Sequence, residues 1–205
     1  MRNVAVVPVF DNLPFDWVQD DSMLRRALKK LDEIRELNHL VILAKDVKAV
    51  NEHVKGKDSL ETQATLQVMK LTQKSNAGIF GLLRWFDDNA RNSDNVMYIV
   101  LDPLFPFLDG SKVQRVLYSA LSNPSRATLT SRHGFVSKGS LTGPGKVIVP
   151  ACFSLTGELI QQVITDGKSD MDFGVFESVP ITSIEAVEYR LECGKRLTEA
   201  LEFVS

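Results

Sequence analysis

Cysteine is scarce in this chain: Cys152 and Cys193 are the two in 205 residues, far apart and at no paired-ligand spacing. A disulfide scaffold and a cysteine-built zinc site are thereby excluded, and both read as small packing residues. Histidine is equally sparse, and His39, His53 and His133 stand at no metal-ligand spacing from one another. Charge of either sign is not in excess, with 24 Lys and Arg against 26 Asp and Glu, a net charge of −2 and a pI near 5.9. Neither nucleic acid nor an anionic membrane is expected as a partner. No apolar run approaches the roughly 18 residues of a membrane span. The N-terminus, with Arg2 and Asp11, lacks a signal-peptide pattern, so a cytoplasmic location is expected. Serine and cysteine carry no surrounding motif such as Gly-x-Ser-x-Gly, which leaves no visible nucleophile with an adjacent base.

What is present is an ordinary globular composition, 44% hydrophobic and 24% charged, enough to bury one large core. One domain over residues 1–205 is expected. Strand patterns alternate with helix patterns. Val4 to Val9 is short, apolar and β-branched, as a strand buried on both faces should be. A turn cluster, Asp11 to Pro14, follows. From Ser22 the apolar residues Met23, Leu24, Ala27, Leu28, Leu31 and Ile34 recur at three- and four-residue steps, with Arg25, Arg26, Lys29, Lys30 and Asp32 between them. That is an amphipathic helix. Leu40 to Ala44 returns to the strand pattern, which predicts a β-α-β unit with parallel strands.

Residues 45–74 are polar, with a helix expected over Asp46 to Val54 and then a loop or second helix. Ile79, Leu82, Leu83 and Phe86 share one face of a further helix. After the apolar run Val96 to Leu101, Asp109-Gly110-Ser111 opens another helix, in which Ser111 and Gln114 have capping-box spacing and Val113, Val116, Leu117, Ala120 and Leu121 form a buried stripe. Ala127 to Thr130 reads as a strand, Ser154 to Thr165 as a helix, and Thr182 to Glu185 as the capping box of a long C-terminal helix. Residues 131–147, rich in Ser, Gly and Lys, read as a loop or projecting hairpin, with a strand resuming at Lys146 to Val149. The fold class is α/β, a single Rossmann-like, mostly parallel sheet with helices on both faces.

The residue on which function turns is Asp102. Val96 to Leu101 delivers it to the carboxyl edge of a sheet, where ligands bind in open α/β folds and where a carboxylate holds Mg²⁺ beside a nucleotide's phosphates. A second reading stands beside this one. Aspartate before Pro103 is also what ends a strand and starts a turn.

Several motifs along the chain resemble those of the 2-C-methyl-D-erythritol 4-phosphate cytidylyltransferases, within the sugar-phosphate nucleotidyltransferases. Leu101-Asp102-Pro103-Leu104-Phe105-Pro106 is similar to the family's His-Asp-Ala-Ala-Arg-Pro, in which the Asp binds the metal. Ile148-Val149-Pro150-Ala151-Cys152-Phe153 resembles Gln-Thr-Pro-Gln-x-Phe, Thr165-Asp166 a Thr-Asp pair, and Ile181-Thr182-Ser183-Ile184-Glu185 the run Ile-Thr-Thr-Pro-Glu. The resemblance implies transfer of CMP from CTP to a polyol-phosphate in isoprenoid synthesis, Mg²⁺ on Asp102, and a homodimer in which the arm at 131–147 embraces a second subunit.

The chain departs from that pattern where phosphate should be held. The family's Gly-rich loop, with its Arg and Lys, corresponds to Pro8-Val9-Phe10-Asp11-Asn12-Leu13-Pro14-Phe15-Asp16-Trp17, which contains no glycine, lysine or arginine. Proline offers no N–H, and Phe10, Phe15 and Trp17 deny the close backbone approach that glycine permits. Phe105 stands for the family's Arg, and Pro180 for its Lys. Phosphoryl transfer rests on positioned positive charge, and one missing donor costs roughly 3 kcal/mol of transition-state stabilisation. A site with weak or absent turnover is the expectation. The alternative is a non-catalytic protein that keeps the fold and acts by association, since an exposed loop bearing Phe15 and Trp17 suits a protein partner. Asp166, Lys138, Lys146, Arg132 and His133 read as turn or solvated residues, and Phe10 and Trp85 as core or interface aromatics.

Overall fold

The computed structural model describes residues 1–10, 12–18, 20–54, 64–70, 83, 95–131, 142–143, 146–147, 150–165 and 179–186. In chain order these form β1 (Arg2–Val9), a 3₁₀ turn (Leu13–Phe15), β2 (Trp17–Val18), β3 (Asp21–Ser22), α1 (Met23–Asp32), β4 (His39–Ala44) and α2 (Val47–Val54). Next come β5 (Thr65–Lys70), β6 (Val96–Leu101), α3 (Gly110–Ser122), β7 (Ala127–Ser131), β8 (Thr142–Gly143) and β9 (Lys146–Val147). The described elements end with β10 (Cys152–Thr156), α4 (Gly157–Thr165) and β11 (Ile181–Glu185).

A seven-stranded sheet runs in the order β11-β7-β10-β6-β1-β4-β5. β10 lies antiparallel to both its neighbours, and the other pairings are parallel. The expected β-α-β unit is β1-α1-β4, in register from Val4 with His39 to Val9 with Ala44. β1, β4 and β6 are buried almost throughout because each is sandwiched between two layers. Ala5, Val7, Ile99 and Leu101 pack on one face with the apolar stripes of α1 and α3. Val4, Val6, Tyr98 and Val100 pack on the other with Leu83, Leu159 and Ile160. Each such aliphatic side chain removed from water stabilises the fold by roughly 1.5–3 kcal/mol.

Local signals account for the helix starts. Ser22 has extended backbone, and its Oγ accepts from the Arg25 N–H at 3.3 Å, capping α1. Asp46 Oδ1 accepts from the Ala49 N–H at 3.0 Å and starts α2 where expected. At α3 the cap is Asp109, whose Oδ1 accepts from the Ser111 N–H at 2.9 Å, and not Ser111. That bond also lowers the Asp109 pKa.

Three segments differ from the sequence-based expectation, each because a neighbouring strand outweighs a local pattern. Thr65–Lys70, expected as loop or helix, is an edge strand on β4, its half-exposed alternation too polar to read as buried. Ser154 does not open a helix: Cys152–Thr156 pairs with β6, Ser154 Oγ donates to the Tyr98 carbonyl at 2.7 Å, and α4 starts at Gly157 behind the Thr156 hydroxyl. Thr182 to Glu185 is no capping box but strand β11, parallel to β7. The long helix expected beyond it falls on residues 187–205, outside the described residues, as does the helix of Ile79, Leu82 and Phe86 apart from buried Leu83. β8 and β9 pair as an antiparallel hairpin within the expected arm, the rest of which lies outside the described residues. Cys152 is buried, as a packing residue should be. Among the described residues no helix is long and apolar enough to cross a membrane.

Candidate functional site

The chain runs outward from β1 through β4 to β5 and then crosses back to β6 on the other side of β1. Ligands in open α/β sheets bind at such a reversal, beyond the carboxyl ends of the two diverging strands. Here those ends are Val9 and Leu101. Register pairs Val6 with Val100, so its continuation sets Asp102 opposite Pro8. The strand-end acid and the start of the first loop therefore lie side by side at the carboxyl edge of the sheet.

Asp102 is half-buried. Its N–H donates to the Ala151 carbonyl at 3.0 Å, its Oδ1 accepts from the Leu104 N–H at 2.9 Å, and its carbonyl accepts from the Phe105 N–H at 3.3 Å. This is an Asx turn with Pro103 inside it, so the turn reading of Asp102 is realised. Turn and ligand roles are compatible, because a carboxylate anchored through one oxygen is held in a fixed direction. Among the described residues no three of His, Cys, Asp and Glu come together. Asp102 fits a Mg²⁺ that arrives on a nucleotide's phosphates, which needs one or two carboxylates.

Phe105, standing where the resembling family has arginine, does not face the crevice. Its ring is 5% exposed and joins the core beside Leu108 and Val113. The first loop also turns inward: Pro14 is buried, and half-buried Phe15 packs on the core and on the His53 ring, with centroids 4.4 Å apart. His53 Nδ1 lies 3.1 Å from the Ala49 carbonyl. Phe10 is 39% exposed at the lip of the site.

The basic residues of α1, which follows this loop, are engaged within the fold. Buried Asp21 pairs with Lys29 at 2.8 Å and Arg25 at 3.5 Å. Arg26 Nε donates to the Pro106 carbonyl at 3.5 Å, and its guanidinium lies 5.9 Å from the centre of the Phe107 ring. Lys30 Nζ donates to the carbonyls of Pro106 at 2.8 Å and Phe105 at 3.5 Å. Burial, with Arg26 nearby, lowers the Lys30 pKa to about 8.

Sequence reasoning missed Lys45. Its N–H donates to the Val9 carbonyl at 3.4 Å, which puts this exposed lysine at the carboxyl edge, one residue past β4. The signal was its place directly after the apolar run Leu40 to Ala44. Thr182 and Glu185, by contrast, are not brought to Asp102. They sit on β11, three strand spacings or about 14 Å from β6. Arg126 Nε donates to Thr182 Oγ1 at 3.0 Å. Asp166, Arg132, His133 and Lys138 lie outside the described residues. A cavity of about 340 Å³, lined by Met1, Asn95, Val96, Thr156 and Gly157, opens at the opposite edge of the sheet, where β6 begins.

No protein-family model matches the sequence, and no curated protein does. Solved structures do match. The 4-diphosphocytidyl-2C-methyl-D-erythritol synthase of Anaerococcus prevotii is similar with a TM-score of 0.66 at 11% identity, over 99% of this chain and 96% of that one. A CMP:2-keto-3-deoxy-manno-octonic acid synthetase complexed with CTP gives 0.67 at 10%, over 100% and 97%. A putative glucose-1-phosphate thymidylyltransferase from Bacillus anthracis gives 0.73 at 9%, over 98% and 94%. These structural neighbours are nucleotidyltransferases, and the likeness shows that the chain has their fold.

Proposed function

We propose that the chain is a divergent member of the 2-C-methyl-D-erythritol 4-phosphate cytidylyltransferase group, with weak or absent turnover. CTP with Mg²⁺ and a sugar- or polyol-phosphate are its ligands in this reading. Asp102 would hold a Mg²⁺ brought in on the nucleotide phosphates, and the ion would supply charge neutralisation for nucleotidyl transfer. The carrying observation is the placement of Asp102 at the switch-point crevice of a nucleotidyltransferase fold. Reduced turnover follows from the same crevice, where the loop beyond β1 brings proline and phenylalanine in place of glycine and cations. The reading includes a cytoplasmic homodimer joined through residues 131–147.

Pyrophosphate release from CTP in the presence of 2-C-methyl-D-erythritol 4-phosphate and Mg²⁺ tests it. The expected rate is at least a hundredfold below the ~10 s⁻¹ of a typical enzyme, and Asp102→Asn removes what there is. A rate in the ordinary range, or one indifferent to Asp102→Asn, would overturn it. A second reading, a fold kept without catalysis, is favoured by the inward packing of Pro14 and Phe15 in the loop that should hold the triphosphate, although that packing also takes Phe15 out of the exposed patch expected of a partner surface. The absence of any nucleotide binding at millimolar concentration selects it.

A further inference from the structure

The segment that leaves β6 carries Asp102 and then crosses the face of α1 before α3 begins. It makes few regular hydrogen bonds of its own: Leu104 N–H to Asp102 Oδ1, Phe105 N–H to the Asp102 carbonyl, and Leu108 N–H to the Phe105 carbonyl at 3.3 Å. Its prolines, Pro103 and Pro106, have no N–H with which to join a ladder. Its backbone is tied to the residue before β10 by the Asp102 N–H, which donates to the Ala151 carbonyl at 3.0 Å, and what ties it to α1 is a side chain. Lys30 Nζ reaches the consecutive carbonyls of Phe105 and Pro106, and Arg26 adds a longer bond to Pro106. α1 is also the helix that the first loop feeds, so this link joins the two walls of the crevice.

We propose that Lys30 is a positioning residue of the site: its amine fastens the Asp102 turn to α1 and so fixes the direction of the Asp102 carboxylate. The role deepens the nucleotide reading above and rests on it for its purpose, but the fastening itself is independent of any ligand. Lys30 sits among Arg26 of its own helix, Glu33 at that helix's C-terminal cap, Asp109 ahead of α3 and Cys152 of β10. Its proton is held less firmly than a surface lysine's, mainly because of burial. A charged donor makes the stronger bond.

Amide hydrogen exchange on the full chain tests the fastening without nucleotide. Lys30→Met should speed exchange at Leu104, Phe105 and Leu108 by roughly tenfold, the scale of one charge-assisted bond, with α3 amides unchanged and Lys30→Arg restoring protection. Unchanged exchange in Lys30→Met overturns the proposal. Titration with Mg²⁺ and CTP separates it from the functional reading. A tenfold weaker Kd in Lys30→Met, recovered by Lys30→Arg, supports positioning, and an identical Kd refutes it. If the unmodified protein binds no nucleotide while Leu104 exchange responds to Lys30→Met, the nucleotide reading fails and the fastening stands.

Discussion

Lys30→Met should flatten the alkaline limb of the stability curve. The Lys30 pKa falls from its ordinary 10.5 to about 8 in the folded chain, burial being the main cause and Arg26 the second. Between those two values the unfolded chain retains a proton that the folded chain has released, so the unfolded state binds more protons and stability rises with pH. Below pH 8 both states are protonated and the folded state carries the full cost of a desolvated ammonium. At ~1.4 kcal/mol for each pH unit between the two values, the gain from pH 7 to pH 10.5 has a ceiling of about 3 kcal/mol. The amine is only half-buried and bonded to two carbonyls, so about 1–2 kcal/mol is the expected size. Urea unfolding of the native chain and of Lys30→Met at pH 7 and pH 10 gives the number by difference, since the other lysines and the tyrosines titrate in both. Parallel curves for the two proteins would refute the burial of this charge.

Restoring the resembling family's arginine should fail structurally, because Phe105→Arg removes a ring from the core and buries a cation there. At least about 3 kcal/mol of stability should go, seen as a lower urea midpoint, and an unchanged midpoint would mean that position 105 faces the crevice after all. Asp21→Asn unpairs Lys29 and Arg25 at the start of α1. A loss of about 1 kcal/mol is expected at low salt, shrinking in 1 M NaCl; a salt-independent loss would point instead to the hydrogen bond that Asp21 accepts from the Ser22 N–H.

The parts of this fold that were legible in the sequence are those whose local pattern and tertiary environment agree. Val4 to Val9 and Val96 to Leu101 are apolar without interruption because both faces of the sheet are covered, and the stripe from Met23 to Leu31 matches the face that α1 buries. Asp102 was found for the same reason, as the polar residue at which a buried run stops. β5, β10 and β11 were not legible. Thr65–Lys70 is an edge strand with polar residues on its open side, and its pairing with β4 cannot be inferred from a six-residue pattern. Cys152–Thr156 hides a serine whose hydroxyl is satisfied by Tyr98, a partner 56 residues away. Thr182 and Glu185 have the right spacing for a cap, yet the parallel edge of β7 takes that backbone instead. In the site, the inward turn of Phe105 and the capture of Lys30 by the Phe105 and Pro106 carbonyls depend on contacts about 75 residues apart, which no local motif encodes.

The central claim is that a crevice with Asp102 at one strand end, but no glycine and no loop cation at the other, holds a metal-bound nucleotide only loosely. Calorimetric titration of the intact chain with Mg²⁺ and CTP measures this directly. The account predicts a Kd in the millimolar range that Asp102→Asn abolishes; a micromolar Kd, or one that survives Asp102→Asn, would contradict it.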